Sequence, residues 1–171
     1  IQSGRSRYTL STLPAVDFPS VQKDKESISI ILNQEKLSNL IGRTSFSMAQ
    51  QDVRYYLNGM LWEINKNRLK AVATDGHRLA ISEIEITGKE KVEKKQYILP
   101  RKGIIELSRL LSKEEETITV ELGLNHIRAT TTNMTFVSKL VEGKFPDYER
   151  VLPKGGNKEI IANTVEFKAA L

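Results

Sequence analysis

The chain of 171 residues contains no cysteine. That absence removes disulfides, thiolate catalysis and cysteine-ligated zinc together, and it fits a reducing compartment such as the cytoplasm. No apolar run approaches the ~20 residues that a membrane span requires, and the first residues show no signal-peptide pattern. Also missing are a phosphate-cradling glycine loop, a metal-ligand signature and an evident nucleophile. What is present is ordinary globular material, 39% hydrophobic and 27% charged, in a length that suits one well-cored domain with some chain left over. A net charge of +5 permits a polyanionic partner without requiring one.

The order of elements follows from periodicity. Residues 27–32 alternate Ile28, Ile30 and Leu32 with Ser27, Ser29 and Ile31, the period-two mark of a half-buried strand. Asn33 is placed to cap a helix in which Leu37, Leu40 and Ile41 recur at helical spacing. A connection over 45–52 leads to strand-like runs at 53–64, 69–74 and 78–86, with turns at 65–67 and Asp75-Gly76. Ile84 and Ile86 fall out of phase with Leu79 and Ile81, which predicts a bulge. After a charged loop over 87–95 the order recurs. A short strand at 96–99 is followed by Pro100 and a helix whose stripe is Ile104, Leu107, Leu110 and Leu111. Strands then follow at 117–122, 126–131 and 134–140.

Strand, helix and three strands therefore occur twice, about 68 residues apart, an internal repeat. Two β-α-β-β-β halves predict an α+β domain, antiparallel sheets with two helices on one face, its core lying wholly between Ser27 and Val141. On either side the pattern breaks. Arg5 to Leu10 reads as a strand, and Pro14 and Pro19 begin a linker that runs on through 21–26. Gly143, Pro146 and Pro153 mark a second linker, after which Ile160-Ile161 and residues 167–171 read as the first strand and helix of a further copy. The expected boundaries are 1–26, 27–146 and 147–171, one domain with a fragment at each end.

Asp75-Gly76 between two alternating runs is a strong hairpin signal, because Asp and Gly tolerate the positive φ of both positions in a tight two-residue turn. Thr74, His77, Arg78 and Leu79 then share its tip, polar groups beside one apolar anchor. A hairpin of this kind can simply join strands. An Asp two residues from a His also invites a hydrolase or transferase reading through Asp75 and His77, but no third catalytic group supports it.

Four segments carry a resemblance that spans nearly the whole chain. They are Ser11-Thr12-Leu13-Pro14-Ala15 with Phe18-Pro19; Phe46-Ser47-Met48-Ala49 through Asp52-Val53-Arg54-Tyr55-Tyr56-Leu57-Asn58-Gly59; Ala73-Thr74-Asp75-Gly76-His77-Arg78-Leu79-Ala80; and Lys144-Phe145-Pro146-Asp147-Tyr148 through Arg150-Val151-Leu152-Pro153. In this order they resemble the bacterial β sliding clamps, processivity subunits of replicative DNA polymerases. The resemblance implies three similar domains per subunit, each a doubled β-α-β-β-β unit, and a ring-shaped homodimer closed head to tail. Helices would line the hole and sheets form the outside. It implies a non-catalytic cytoplasmic protein without cofactor or metal, which holds the polymerase and clamp loader on duplex DNA through their short linear motifs. The chain matches the end of the first such domain, all of the second and the start of the third, so it is expected to be a fragment unable to close the ring.

Carried over position by position, the resemblance implies a partner-peptide cleft of Leu57, Thr74, Gly76, His77, Arg78, Leu79, Pro146 and Val151. A motif close to Gln-Leu-x-Leu-Phe would lay its Leu and Phe on the apolar members, more weakly than in an intact clamp. It also implies sequence-independent contact with DNA through Gln51, Arg54, Tyr55 and Tyr56 of the 50–56 loop and through Arg43, Arg101, Lys102 and Arg109 of the helices. Weak, wet phosphate contacts suit sliding, and paired tyrosines can stack on bases, though one of an alternating pair can equally be core. A non-clamp nucleic-acid-binding α+β domain acting through its basic helices stays open as an alternative. His126 has no counterpart in the resemblance and reads as a strand or turn residue.

Overall fold

A computed structural model describes residues 1–18, 26–86, 92–111 and 117–171. The part of the first linker at 19–25, Pro19 included, and the first part of the charged loop at 87–91 lie outside those residues. The chain opens with a minimal hairpin, β1 (Gln2–Ser3) and β2 (Ser6–Arg7), rather than one strand from Arg5 to Leu10. Gly4, at φ +58°, turns the chain there.

Strand β3 (Ile28–Asn33) runs into α1 (Gln34–Gly42), where the Asn33 side chain accepts the Lys36 N–H at 2.9 Å and starts the helix. Strands β4 (Gly59–Lys66), β5 (Arg68–Thr74) and β6 (Leu79–Glu85) complete the first half. The second half repeats the order as β7 (Val92–Pro100), α2 (Arg101–Leu110), β8 (Thr117–Leu122), β9 (His126–Thr130) and β10 (Thr135–Lys139). A final helix, α3 (Thr164–Ala170), is capped by Asn163. Ile160 and Ile161, expected as a strand, are exposed and outside any ladder.

The two halves exchange their first strands. One antiparallel sheet has the order β10-β9-β8-β3 and the other β6-β5-β4-β7. Ile28 pairs with Leu122 and Asn33 with Thr117, while Gly59 pairs with Pro100. Each sheet thus takes three strands from one half and one from the other, so neither half has a complete sheet of its own. Between the sheets and helices lies the main core. It joins Leu37, Leu40 and Ile41 of α1 and Ile104 and Leu107 of α2 to Met60, Trp62, Ile118, Val120 and Ile127. The Trp62 indole N–H rests on the Met60 sulfur at 3.3 Å.

Several local expectations change. The run at 53–64 becomes a strand only at Gly59, because residues Tyr55–Leu57 form a 3-10 turn closed by Leu57 N–H on the Arg54 carbonyl. Residues 92–95 of the expected loop belong to β7. This strand lies at the sheet edge, where its lysines reach water and discourage further pairing. No bulge interrupts β5 and β6; Ala80, Ile84 and Ile86 share the inward parity, and Leu79 and Ile81 lie on the other face. The irregularity sits instead between Ile64 and Lys66 of β4. Leu110 is 47% exposed, since α2 ends there and Leu111 turns inward on extended backbone to complete the apolar stripe.

The largest departure is at 142–148. Read as a linker beyond the core, it instead packs against the outer face of the β4–β7 sheet. Phe145 and Tyr148 are buried there with Leu57, Leu61, Val72 and Ile98 in a second core. Strand β4 is consequently buried on both faces from Gly59 to Ile64.

Candidate functional site

The hairpin tip is a four-residue loop, not a two-residue turn, since Thr74 and Leu79 are the last paired residues. Only Gly76 takes a positive φ, +88°. Asp75 acts through its side chain. Its Oδ1 accepts the N–H groups of His77 and Arg78, each at 3.0 Å, and its Oδ2 accepts Arg78 Nε at 3.1 Å. These donors, the Arg78 N–H foremost and then that of His77, hold the carboxyl down at about 2. Thr74 Oγ1 donates to the Arg78 carbonyl at 2.7 Å and accepts the Gly76 N–H at 3.1 Å. Arg78 extends on to the Phe46 carbonyl at 2.8 Å and lies over the Phe46 ring.

An Asp75–His77 catalytic pair does not form. The carboxylate is turned to backbone N–H groups and the Arg78 guanidinium, and so low a pKa makes it a poor base at neutral pH. Among the described residues no cluster of three or more His, Asp or Glu could hold a metal.

Beside the tip, the 50–57 loop is fixed by Arg54. Its guanidinium grips Asp52 through Nε at 3.0 Å and Nη2 at 2.8 Å, and reaches the Asp75 carbonyl at 3.3 Å. The Arg54 side chain is the first cause that keeps the Asp52 carboxyl at about 2. A Cβ on Gly76 would lie 3.0 Å from Arg54 Nη2, so glycine serves both the turn and this close approach.

Together these elements frame a groove of about 420 Å³. Leu57, Leu79, Pro146 and Val151 line it with Thr74, Gly76, His77 and Arg78, so all eight residues of the expected cleft meet at one place. Val151, 69% exposed, forms an open side. Arg54, Asp147, Tyr148, Leu152 and Pro153 also line it and were not foreseen there. The signal for the last four was their place in the same two short motifs as Pro146 and Val151. Arg54 shares a motif with Leu57 in the same way, but only the fold brings it across to Gly76.

The remaining basic and aromatic candidates lie elsewhere. Gln51, Arg101, Lys102 and Arg109 line one shallow depression along α2, where Arg101 donates to the Met48 carbonyl at 3.2 Å and Arg109 pairs with Glu106 at 2.8 Å. Arg43 is exposed at the end of α1. Tyr55 is exposed and Tyr56 half-buried against the second core, their rings edge to face at 5.6 Å. His126 opens β9 opposite Lys139.

A family model described as the central domain of the DNA polymerase III beta subunit matches residues 31–147. The chain belongs to that family. It is 56% identical over 170 residues to the beta sliding clamp of Pseudomonas putida, covering 99% of this chain and 46% of that protein. The crystal structure of the DNA polymerase III subunit beta from Pseudomonas aeruginosa superimposes with a TM-score of 0.85 at 58% identity, over 90% of this chain and 42% of that one. The DNA polymerase sliding clamp from Bacillus subtilis gives 0.92 at 29% identity, over 99% and 44%. The fold is therefore that of the sliding clamps, and the chain spans less than half the length of the relatives it matches.

Proposed function

We propose that this chain is the central part of a sliding clamp, a non-catalytic processivity subunit that encircles duplex DNA in the cytoplasm and tethers replication proteins to it. The observation that carries the reading is the groove at the hairpin tip, where eight residues from three separated segments converge on apolar walls. Its occupant is a short linear motif of the type Gln-Leu-x-Leu-Phe from a polymerase or clamp loader. Leu57, Leu79, Pro146 and Val151 take the apolar side chains, each worth about 1.5–3 kcal/mol if fully buried. Thr74, His77 and Arg78 orient the peptide through polar contacts. In this reading the depression along α2 faces the DNA backbone through Arg101, Lys102 and Arg109, without base readout. The ring-shaped homodimer belongs to the same proposal; none of the described helices is long and apolar enough to cross a membrane.

The test is titration of a labelled Gln-Leu-x-Leu-Phe peptide against the chain and its Leu79→Asp variant, with amide shifts mapped to residues. Saturable binding that moves Leu57 and residues 74–79, and weakens at least tenfold in the variant, is expected. Equal binding by both, or shifts confined to other surfaces, refutes the assignment.

A further inference from the structure

Strand β4 carries one carboxylate inside an otherwise apolar run, Gly59-Met60-Leu61-Trp62-Glu63-Ile64. Met60, Trp62 and Ile64 belong to the main core, so Leu61 and Glu63 point to the outer face, beneath the 141–148 segment. Glu63 is only 4% exposed. A buried carboxylate is costly unless it is paired and fully hydrogen-bonded, and here every partner is in place. Gln96, its cross-strand neighbour on β7, donates Nε2 to Oε2 at 2.7 Å, and Lys94 Nζ lies 3.0 Å from the same oxygen. The other oxygen, Oε1, accepts the Tyr148 hydroxyl at 3.2 Å. Lys70, the cross-strand neighbour on β5, sits over the Tyr148 ring at 5.8 Å.

The two oxygens thus have different duties. One is held by the sheet itself; the other reaches a residue that belongs to no strand. Tyr148 is also a groove-lining residue, and the 3-10 turn it begins carries Val151, whose N–H bonds to the Tyr148 carbonyl at 3.3 Å. Glu63 itself does not line the groove. Apolar packing of Phe145 and Tyr148 is non-directional and permits sliding and rotation. A hydrogen bond to a fixed carboxylate does not.

We propose that Glu63 is a positioning residue for the groove: through the Tyr148 hydroxyl it sets the place of the wall formed by Pro146, Tyr148 and Val151, without touching the occupant. This rests on the groove being a peptide site. The specificity of that wall is then written in β4, underneath it. Glu63→Leu tests the idea sharply. It removes the acceptor of the Tyr148 hydroxyl while keeping a side chain of similar size beneath the segment, and Gln96 and Lys94, both exposed at the sheet edge, turn to water.

The experiment uses Tyr148→Phe, Glu63→Leu and the double variant, with two readouts. The first, in the peptide-free chain, is amide exchange of Arg150 and Val151. Each single variant should raise it about tenfold, and the double variant no further. The second is affinity for the labelled Gln-Leu-x-Leu-Phe peptide. It should fall about three- to tenfold in each single variant, again without further loss in the double. Unchanged exchange in Tyr148→Phe, or effects of the two substitutions that multiply, overturns the proposal. If the parent chain fails to bind the peptide, the peptide reading fails alone, and the exchange data still decide whether Glu63 positions the wall.

Discussion

Phe145→Ala tests whether the 141–148 segment is part of the folded domain. The ring is 4% exposed and packs with Leu57, Leu61, Val72 and Ile98. Transfer of a buried Phe side chain is worth about 1.5–3 kcal/mol, and Phe→Ala with its cavity usually costs about 3–5 kcal/mol. Here the cavity term has a ceiling. The segment is attached by Phe145, by Tyr148 and by the Val141 N–H on the Ile98 carbonyl at 2.8 Å, so it can leave the sheet instead of spanning a void. Release exposes the outward faces of Leu61, Val72 and Ile98, which sets a floor under the loss, while the absence of a retained void keeps it near the lower figure, about 3 kcal/mol. At roughly 3–5 °C per kcal/mol for a domain of this size, Tm falls by about 10–15 °C. The assay is urea unfolding followed by the fluorescence of Trp62, the single tryptophan, which lies in the other core and reports on the whole domain. A loss below about 1 kcal/mol, the range of a surface substitution, would show that the outer face does not need this cover.

Two further outcomes follow from the structure. Leu107→Ala should cost about 2–5 kcal/mol, whereas Leu110→Ala, at a position 47% exposed, should stay within about 0.5 kcal/mol in the same urea assay; comparable losses would mean that the helical stripe is misplaced. The Asp75 carboxyl, ordinarily at 3.8, is held at about 2 by the Arg78 and His77 N–H groups. Because the folded value is depressed, its bonds are at full strength above the unfolded value and are lost as pH falls through about 2. The side-chain carboxyl carbon resonance of Asp75 should therefore hold steady from pH 7 down to about 4, and a transition centred near the ordinary value would refute the tip geometry.

Periodicity found the elements because each amphipathic face obeys a local rule. Leu37, Leu40 and Ile41 mark a helix whatever lies opposite them, and the alternation in 69–74 marks a strand without naming its neighbour. The exchange of β3 and β7 between sheets was not legible for the same reason: pairing partners are set by how both halves close around one core. The two-residue turn was misread because Asp75 satisfies two rules at once. It tolerates positive φ, but it also accepts backbone N–H bonds from residues two and three ahead, and the second role decided the loop. The eight cleft residues came from motif resemblance, and no periodicity would have joined Leu57 to Thr74 and Val151.

The clue to the outer cover was present in β4. A strand with one wet face should alternate, yet Met60, Leu61, Trp62 and Ile64 are apolar on both parities. Such a run implies that something covers the second face, and the lone Glu63 implies that the cover brings a donor. Proline and glycine in 142–153 argued against a regular element, which was correct, but irregular chain can still be buried when its polar groups are satisfied. Here the Tyr148 hydroxyl meets Glu63 and the Val141 N–H meets the Ile98 carbonyl, so the segment is irregular and docked at once. That combination also makes a groove wall possible. An element held by side chains above a sheet can present Pro146, Val151 and Leu152 at an angle that no further strand of the sheet could offer.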